Sequence, residues 1–450
     1  MPDTAHDGTV RSALFTDLYE LVMAQAYDAE GMDEPAVFEL SIRSMPPQRN
    51  YFVCAGLDDV LTYLEHFQFT EDDLAYLRRQ GQFSDNFLDR LKGLRFTGDV
   101  YAMPEGTVVF PNEPLVQVVA PLAEAQLVET LVLNQMHFQT VAATKATRVL
   151  IAGAAQTIVD FGSRRAHGAD AALKVARASY LTGAAGTSLV LAGKLYGIPI
   201  FGTMAHSYIQ AHDDEAGAFA AFVRLCPEAT LLVDTYDTLL GVRNVIDLSA
   251  KLGDRFRVRA IRLDSGDIAS LARQARQLLD EAGLGRIQIF VSSEMDEYRI
   301  AELVGSDAPI DGFGVGTRMA VADDVPHLDM AYKLVEYAGR GRMKLSSRKA
   351  IYPGRKQVFR QIEGAQMVRD VIGRHDEHLP GQPLLQPVMR GGERLEAGRT
   401  SLADARHHAR REQYQLPDAL RRLDRAEPPY PVEASPALQR DFESLRRELS

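Results

Sequence analysis

Between residues 157 and 316, short apolar runs rich in β-branched side chains alternate with helical patterns. The repeat is about 30 residues long, and a βα unit of that size implies a parallel sheet, open or closed into a barrel. The strand-like runs are 157–162, 198–201, 230–234, 258–263 and 287–291, followed by a glycine-rich run at 311–316. The clearest helix carries Ile268, Leu271, Ala272, Ala275, Leu278, Leu279 and Ala282 on one stripe, the spacing of a helix face turned to a core. Asp267 precedes it as N-cap and Gly283 follows as a stop. Run 198–201, bounded by glycines, reads as a buried strand.

The flanks differ from the centre. Residues 1 to about 145 mix helices with strand-like runs at 36–40 and 115–119, and beyond about 375 the chain is rich in Arg, Glu, Leu and Pro. Segments 401–413 and 435–449 read as exposed charged helices. At 450 residues the chain exceeds one ordinary core. A central βα domain with an outer domain built from both flanks is the simplest assembly. The net charge of −11 argues against broad binding to nucleic acid or anionic membrane, but not against an anionic substrate met by local arginines. Cys54 and Cys226 stand in apolar settings and read as buried structural thiols, with no disulfide framework or zinc ligand set. Segment 1–9 lacks an apolar leader core, and no uncharged apolar stretch reaches about 18 residues. The expected location is the cytoplasm.

In a closed βα barrel all strand carboxyl ends meet on one face, and the polar residues of this chain gather at those ends. Arg262, Asp264, Ser265, Gly266 and Asp267 join one strand to the next helix. The helix amino terminus favours an anion, and the carboxylates suit Mg²⁺ or ribose hydroxyls. An N-cap with a surface ion pair is the other reading, and it explains Asp267 better than Asp264. Gly312, Gly314 and Gly316, followed by Thr317 and Arg318, form a turn that lets backbone approach a phosphate. A tight turn into a helix is the alternative. Arg164 and Arg165 follow Asp160-Phe161-Gly162-Ser163, and paired guanidinium groups suit a carboxylate or phosphate. Lys145 and Arg148 add positive charge near the start of an apolar helical segment, and Ser292, Ser293 and Glu294 follow another strand. His206 lies just past run 198–201. Each group alone has a structural explanation; together they describe a site for a phosphorylated anionic substrate with a divalent metal.

Asp17-Leu18-Tyr19-Glu20-Leu21, Phe161-Gly162-Ser163-Arg164-Arg165, Gly202-Thr203-Met204-Ala205-His206-Ser207, the run from Arg262 to Asp267, and Gly314-Val315-Gly316-Thr317 occur together in a family this chain resembles, the nicotinate phosphoribosyltransferases. The resemblance runs from Phe15 to about Phe359. It implies an incomplete α/β barrel with an outer α/β sandwich domain, arranged as 1–144 (amino-terminal part of the outer domain), 145–345 (barrel) and 346–450 (segment packing on the outer domain). It further implies transfer of phosphoribosyl from phosphoribosyl pyrophosphate to nicotinate, coupled to ATP hydrolysis through phosphorylated His206, with Mg²⁺. Under the resemblance Thr203 and Tyr19 lie at or beside the pyridine ring, Arg262 binds substrate and Thr317 meets the 5-phosphate. Asp264 is the candidate for the ribose or metal side, with Asp267 a second metal candidate. Phe161, Arg148, Arg164, Arg165 and Lys145 are substrate-binding candidates, and Gly314, Gly316 and Ser293 phosphate-binding ones. A homodimer with shared sites is implied, which lets Tyr19 act in the partner's site.

Related nicotinamide enzymes resemble this chain around Asp160-Phe161-Gly162 but keep one arginine followed by glycine. Here Arg165 follows Arg164, and a second cation favours a carboxylate ligand over a neutral amide. Leu189 and the pair Ser293-Glu294 depart from the family pattern near ribose or phosphate contacts. Nicotinamide transfer, a barrel lyase or isomerase of sugar phosphates, and a nucleotide-binding regulator are the competing readings.

Overall fold

The computed structural model of the protein describes residues 12–345 and 351–450. Segment 1–9 and the expected segment start at 346 lie outside the described residues. The chain divides into two compact units, Lys145–Asp323 and a second made of Met1–Thr144 with Asp324–Ser450.

The Lys145–Asp323 unit is built on six strands: β1 (Thr157–Asp160), β2 (Gly186–Thr187), β3 (Thr230–Leu232), β4 (Ala260–Leu263), β5 (Gln288–Val291) and β6 (Gly312–Val315). Their spatial order is β2-β1-β6-β5-β4-β3, and every pair is parallel. Parallel neighbours need crossover connections, and helices supply them. Such a sheet is covered on its faces, which is why its strands are mostly apolar. Ile158, Val159, Leu231, Leu232, Ile261, Leu263, Ile289, Val291, Phe313 and Val315 are all buried. The predicted amphipathic helix spans Ile268–Glu281, buries Ile268, Ala272, Ala275 and Leu279, and is capped by the Asp267 side chain accepting from the Ser270 N–H.

Run 198–201 is not a buried strand. Its sheet pairing is one bridge from Ile200 to Thr187; Ile198 is buried, whereas Ile200 is 57% and Phe201 40% exposed. Pro199 has no N–H to donate to a ladder, and the neighbouring β2 offers only two residues. Cys226 also departs from expectation. It is exposed, at the turn that ends the helix Glu215–Leu225, while Cys54 is buried as expected.

In the other unit a seven-stranded sheet interleaves the two flanks. Its strands run Arg340–Gly341, Met330–Tyr337, Pro35–Ile42, Pro114–Pro121, Asp99–Ala102, Gln386–Arg390, Glu393–Arg394, and all pairs are antiparallel. A four-stranded sheet follows the order Gln382–Pro383, Lys356–Glu363, Gln366–Arg374, Val432–Ala434. The charged helices form at Leu402–Gln415 and Pro436–Leu449 behind serine caps, and the first buries Ala405, Ala409 and Glu412. Arg360 lies fully buried in this unit. It donates to Asp370 at 2.6 Å, to Glu412 at 2.6 Å and to the Val108 carbonyl at 2.8 Å. The Tyr430 hydroxyl donates to Asp370 at 3.0 Å, and its ring stacks on Phe110 with centroids 3.9 Å apart. Among the described residues no helix is long and apolar enough to cross a membrane.

Candidate active site

Because the strands of the six-stranded sheet are parallel, their carboxyl ends share one edge, where a hydrogen-bonded cluster forms around Arg262 on β4. Its Nε donates to Ser292 Oγ at 2.8 Å, one terminal nitrogen to Thr203 Oγ1 at 2.6 Å and the Met204 carbonyl at 3.2 Å, and the other to Asp264 Oδ1 at 3.1 Å. The Ser292 hydroxyl donates to the same Asp264 oxygen. Burial works against ionising Asp264, but the Ser292 hydroxyl and the Arg262 guanidinium outweigh it and hold this carboxyl below its usual range. The second oxygen of Asp264 lies 3.7 Å from His206 Nε2. His206 Nδ1 is 3.1 Å from Thr235 Oγ1, and the imidazole is 38% exposed. It opens the short helix His206–Gln210.

Asp234, just beyond β3, underpins this cluster. Its Oδ2 accepts from the Asp264 N–H at 2.9 Å and the Ser265 hydroxyl at 2.7 Å, while its Oδ1 is buried without a hydrogen-bond partner among the described residues. Asp160 does similar work at the ends of β1 and β2. It accepts from the Gly162 N–H and the Thr187 hydroxyl, each at 2.8 Å, and burial raises its carboxyl above the usual range. The Phe161 ring beside it packs over Gly314; a β-carbon there would sit 2.4 Å from the ring. Gly314 therefore makes room for Phe161.

The remaining candidates divide by environment. Arg164 and Arg165 stand exposed in a one-turn helix, and neither side chain has a hydrogen bond or ion pair among the described residues. Thr317 is exposed at the start of the helix Thr317–Val321, after Gly316. Ser293 and Glu294 are exposed with φ of 78° and 40°, a left-handed conformation that strains a side-chain-bearing residue. Asp267 is engaged in capping its helix. Lys145 and Arg148 are buried rather than presented at a strand end; both bind Glu297, at 2.6 and 2.9 Å. Tyr19 belongs to the other unit, on the helix Leu18–Glu30, where burial and the nearby Glu129 push its phenol up.

Comparison with known proteins gives this cluster a family. Residues 14–137 match the nicotinate phosphoribosyltransferase (NAPRTase) N-terminal domain, and residues 156–344 match the nicotinate phosphoribosyltransferase (NAPRTase) family. The chain is 58% identical to nicotinate phosphoribosyltransferase pncB2 of Mycobacterium tuberculosis, over 96% of this chain and 94% of the relative. The chain belongs to the nicotinate phosphoribosyltransferase family. The Bacillus subtilis nicotinate phosphoribosyltransferase is 44% identical over 83% of this chain and 78% of its own. The crystal structure of human nicotinic acid phosphoribosyltransferase superposes with a TM-score of 0.86 at 29% identity, covering 96% of this chain and 99% of that one.

Sequence reasoning passed over Asp234, Thr235 and Glu297, and assigned Asp160 no role. Asp234 carries the same signal as Asp160 and Asp264, an aspartate at the carboxyl end of an apolar run. Inspecting every strand end for acids finds it. Nothing local to Glu297 announces its two cations.

Proposed function

We propose that the chain transfers the phosphoribosyl group of phosphoribosyl pyrophosphate to nicotinate, giving nicotinate mononucleotide and pyrophosphate, with ATP hydrolysis coupled through a phosphorylated His206. The observation that carries this reading is the placement of His206. One ring nitrogen is fixed by Thr235 and the other faces Asp264 within an arginine-centred cluster. With Nδ1–H donating to Thr235, Nε2 presents a lone pair to the γ-phosphorus of ATP. The N–P bond forms as the bond to the ADP oxygen breaks. The pyridine nitrogen of nicotinate then takes the ribosyl anomeric carbon as pyrophosphate leaves, and water cleaves the N–P bond, releasing phosphate and restoring the imidazole. Asp264, held ionised, is placed to stabilise oxocarbenium character in that transition state.

Arg164 and Arg165 are exposed cations near Phe161, unpaired among the described residues and suited to the nicotinate carboxylate. Thr317, Gly316 and Ser293 are assigned to phosphate oxygens. Mg²⁺ fits this site through Asp264 with Asp234, whose buried Oδ1 lacks a partner, rather than through Asp267. Among the described residues no three metal-ligating side chains converge, and Mg²⁺ is commonly held by one or two carboxylates plus substrate phosphates. When bound it would neutralise charge on the pyrophosphate.

The six-stranded sheet is read as an incomplete barrel. Arg262 on β4 reaches Thr203, which lies beyond the opposite edge strand β2. A cavity of about 1000 Å³ is lined both by Ile200 and Phe201 near that edge and by Ala229 and Thr230 at β3. A cytoplasmic homodimer completes the proposal; Leu18, Tyr19 and Val22, 53%, 47% and 44% exposed on one helix, offer a face to a second copy.

The decisive assay is Mg²⁺-dependent pyrophosphate release from phosphoribosyl pyrophosphate with nicotinate or nicotinamide supplied. Release with nicotinate is expected; release with nicotinamide alone would replace this reading by the amide enzyme. Arg165→Gly should raise KM for nicotinate by about tenfold, as expected for losing a charge-assisted contact. An unchanged KM removes Arg165 from the site. Gly314→Ala should cost about 1–3 kcal/mol of stability through overpacking. By displacing Phe161 it should raise KM for nicotinate more than KM for phosphoribosyl pyrophosphate. Equal effects on both would detach Phe161 from the base.

A further inference from the structure

We propose that Glu297 is a positioning residue for the transfer reaction: by pinning Lys145 and Arg148 it fixes the loop 292–296 that holds Ser292 against Arg262 and Asp264. The inference rests on the reading that these strand ends hold phosphoribosyl pyrophosphate.

Glu297 is fully buried, and its two carboxylate oxygens are divided between Lys145 Nζ at 2.6 Å and Arg148 Nε at 2.9 Å. Those cations sit three residues apart, one turn along the helix Glu129–Gly153, and are almost completely buried. Arg148 also donates to the Tyr298 hydroxyl at 3.1 Å. The pattern continues outward with alternating sign. Lys145 lies 3.7 Å from Asp323, Arg318 donates to Asp323 at 2.7 Å, and Arg318 lies 3.8 Å from Asp296, the neighbour of Glu297. Lys145, Asp323, Arg318 and Asp296 thus form a chain of alternating charge that the backbone closes onto Glu297, with Arg148 branching from Glu297. It joins the long helix, the start of the helix Glu297–Gly305 and the helix Thr317–Val321 that carries Thr317.

Burying such a group is costly, and a buried ion pair is weak evidence of stabilisation by itself. Its yield is geometry. The loop between Ser292 and Glu297 contains two consecutive left-handed residues, Ser293 and Glu294, and strained backbone persists only where its surroundings over-determine it. One end is tied by Ser292 to Arg262 and Asp264. The other is tied by Asp296, which caps its helix by accepting from the Arg299 N–H at 2.8 Å, and by Glu297. Lys145 and Arg148 therefore act on the site through this loop.

The test uses Glu297→Gln in the full chain. Equilibrium binding of phosphoribosyl pyrophosphate is read by calorimetry, together with KM for each substrate and the thermal midpoint. Binding of phosphoribosyl pyrophosphate should weaken about tenfold or more, the order expected when a small displacement disturbs a preorganised site, with KM for nicotinate within about twofold. Should Glu297→Gln fold poorly because it strands two buried cations, Lys145→Met with Glu297→Gln removes one of them. That pair should recover part of the thermal midpoint without recovering the binding. Binding that returns in step with the midpoint, or a Glu297→Gln protein that binds phosphoribosyl pyrophosphate like the unsubstituted chain, overturns the proposal. An unsubstituted protein that binds phosphoribosyl pyrophosphate yet transfers nothing to nicotinate counts instead against the proposed function.

Discussion

His206→Asn should abolish acid-labile, base-stable phosphate labelling of the protein from ATP and remove ATP stimulation of transfer, while leaving some ATP-independent transfer. The expected loss is complete because a covalent step cannot proceed without its nucleophile. Asparagine retains a polar group within reach of Thr235, and Thr235 itself, Asp264 and Arg262 remain, so the rest of the cluster should persist. Residual transfer is expected because binding and electrostatic stabilisation outlive the removal of one group. Labelling of the variant equal to that of the unsubstituted chain would return His206 to a structural role.

Arg360→Met should produce the largest stability loss in the chain. The substitution leaves Asp370 and Glu412 buried without their cation, and removing one partner of a buried ion pair costs about 3–5 kcal/mol. In a unit of this size that corresponds to a fall of roughly 10 °C in the thermal midpoint; a fall under about 2 °C would contradict it. The same centre predicts a pH dependence. Burial and the neighbouring Asp370 push the Glu113 carboxyl well above the usual carboxylate range. A group whose folded value is raised stabilises fully below its unfolded value and loses that contribution as pH rises through the folded value. Stability should therefore decline as pH rises above the ordinary carboxylate range. Glu113→Gln, which keeps a neutral side chain in place, should flatten that decline, and an unaltered pH profile would refute the assignment.

What the sequence disclosed is what local pattern controls. Asp267, the stripe from Ile268 to Leu279 and the apolar strands were readable because capping and periodicity act over a few residues. The gathering of Arg262, Asp264 and His206 was readable because parallel strands bring their carboxyl ends to one edge. The pairing of Lys145 and Arg148 with Glu297 was not readable because that partner lies about 150 residues onward, beyond any local signal. Run 198–201 looked like a buried strand by composition alone, and Pro199 was the warning in it. At Gly314 the sequence offered a phosphate turn, but only the fold reveals that the missing side chain is space for Phe161.

The interleaved outer sheet has a consequence for synthesis. Its strand Pro35–Ile42 pairs with Met330–Tyr337, and Asp99–Ala102 pairs with Gln386–Arg390. On the ribosome these early strands can pair through Pro114–Pro121, but their outer edges emerge long before the late strands exist, and an unpaired strand edge invites pairing with other chains. The unit Lys145–Asp323, by contrast, is continuous in sequence and has all of its strands once residue 315 has been made. The nascent chain thus has a built-in order of assembly: the middle can close while the beginning waits for the end. A chain released early would carry a finished centre and an open, aggregation-prone sheet.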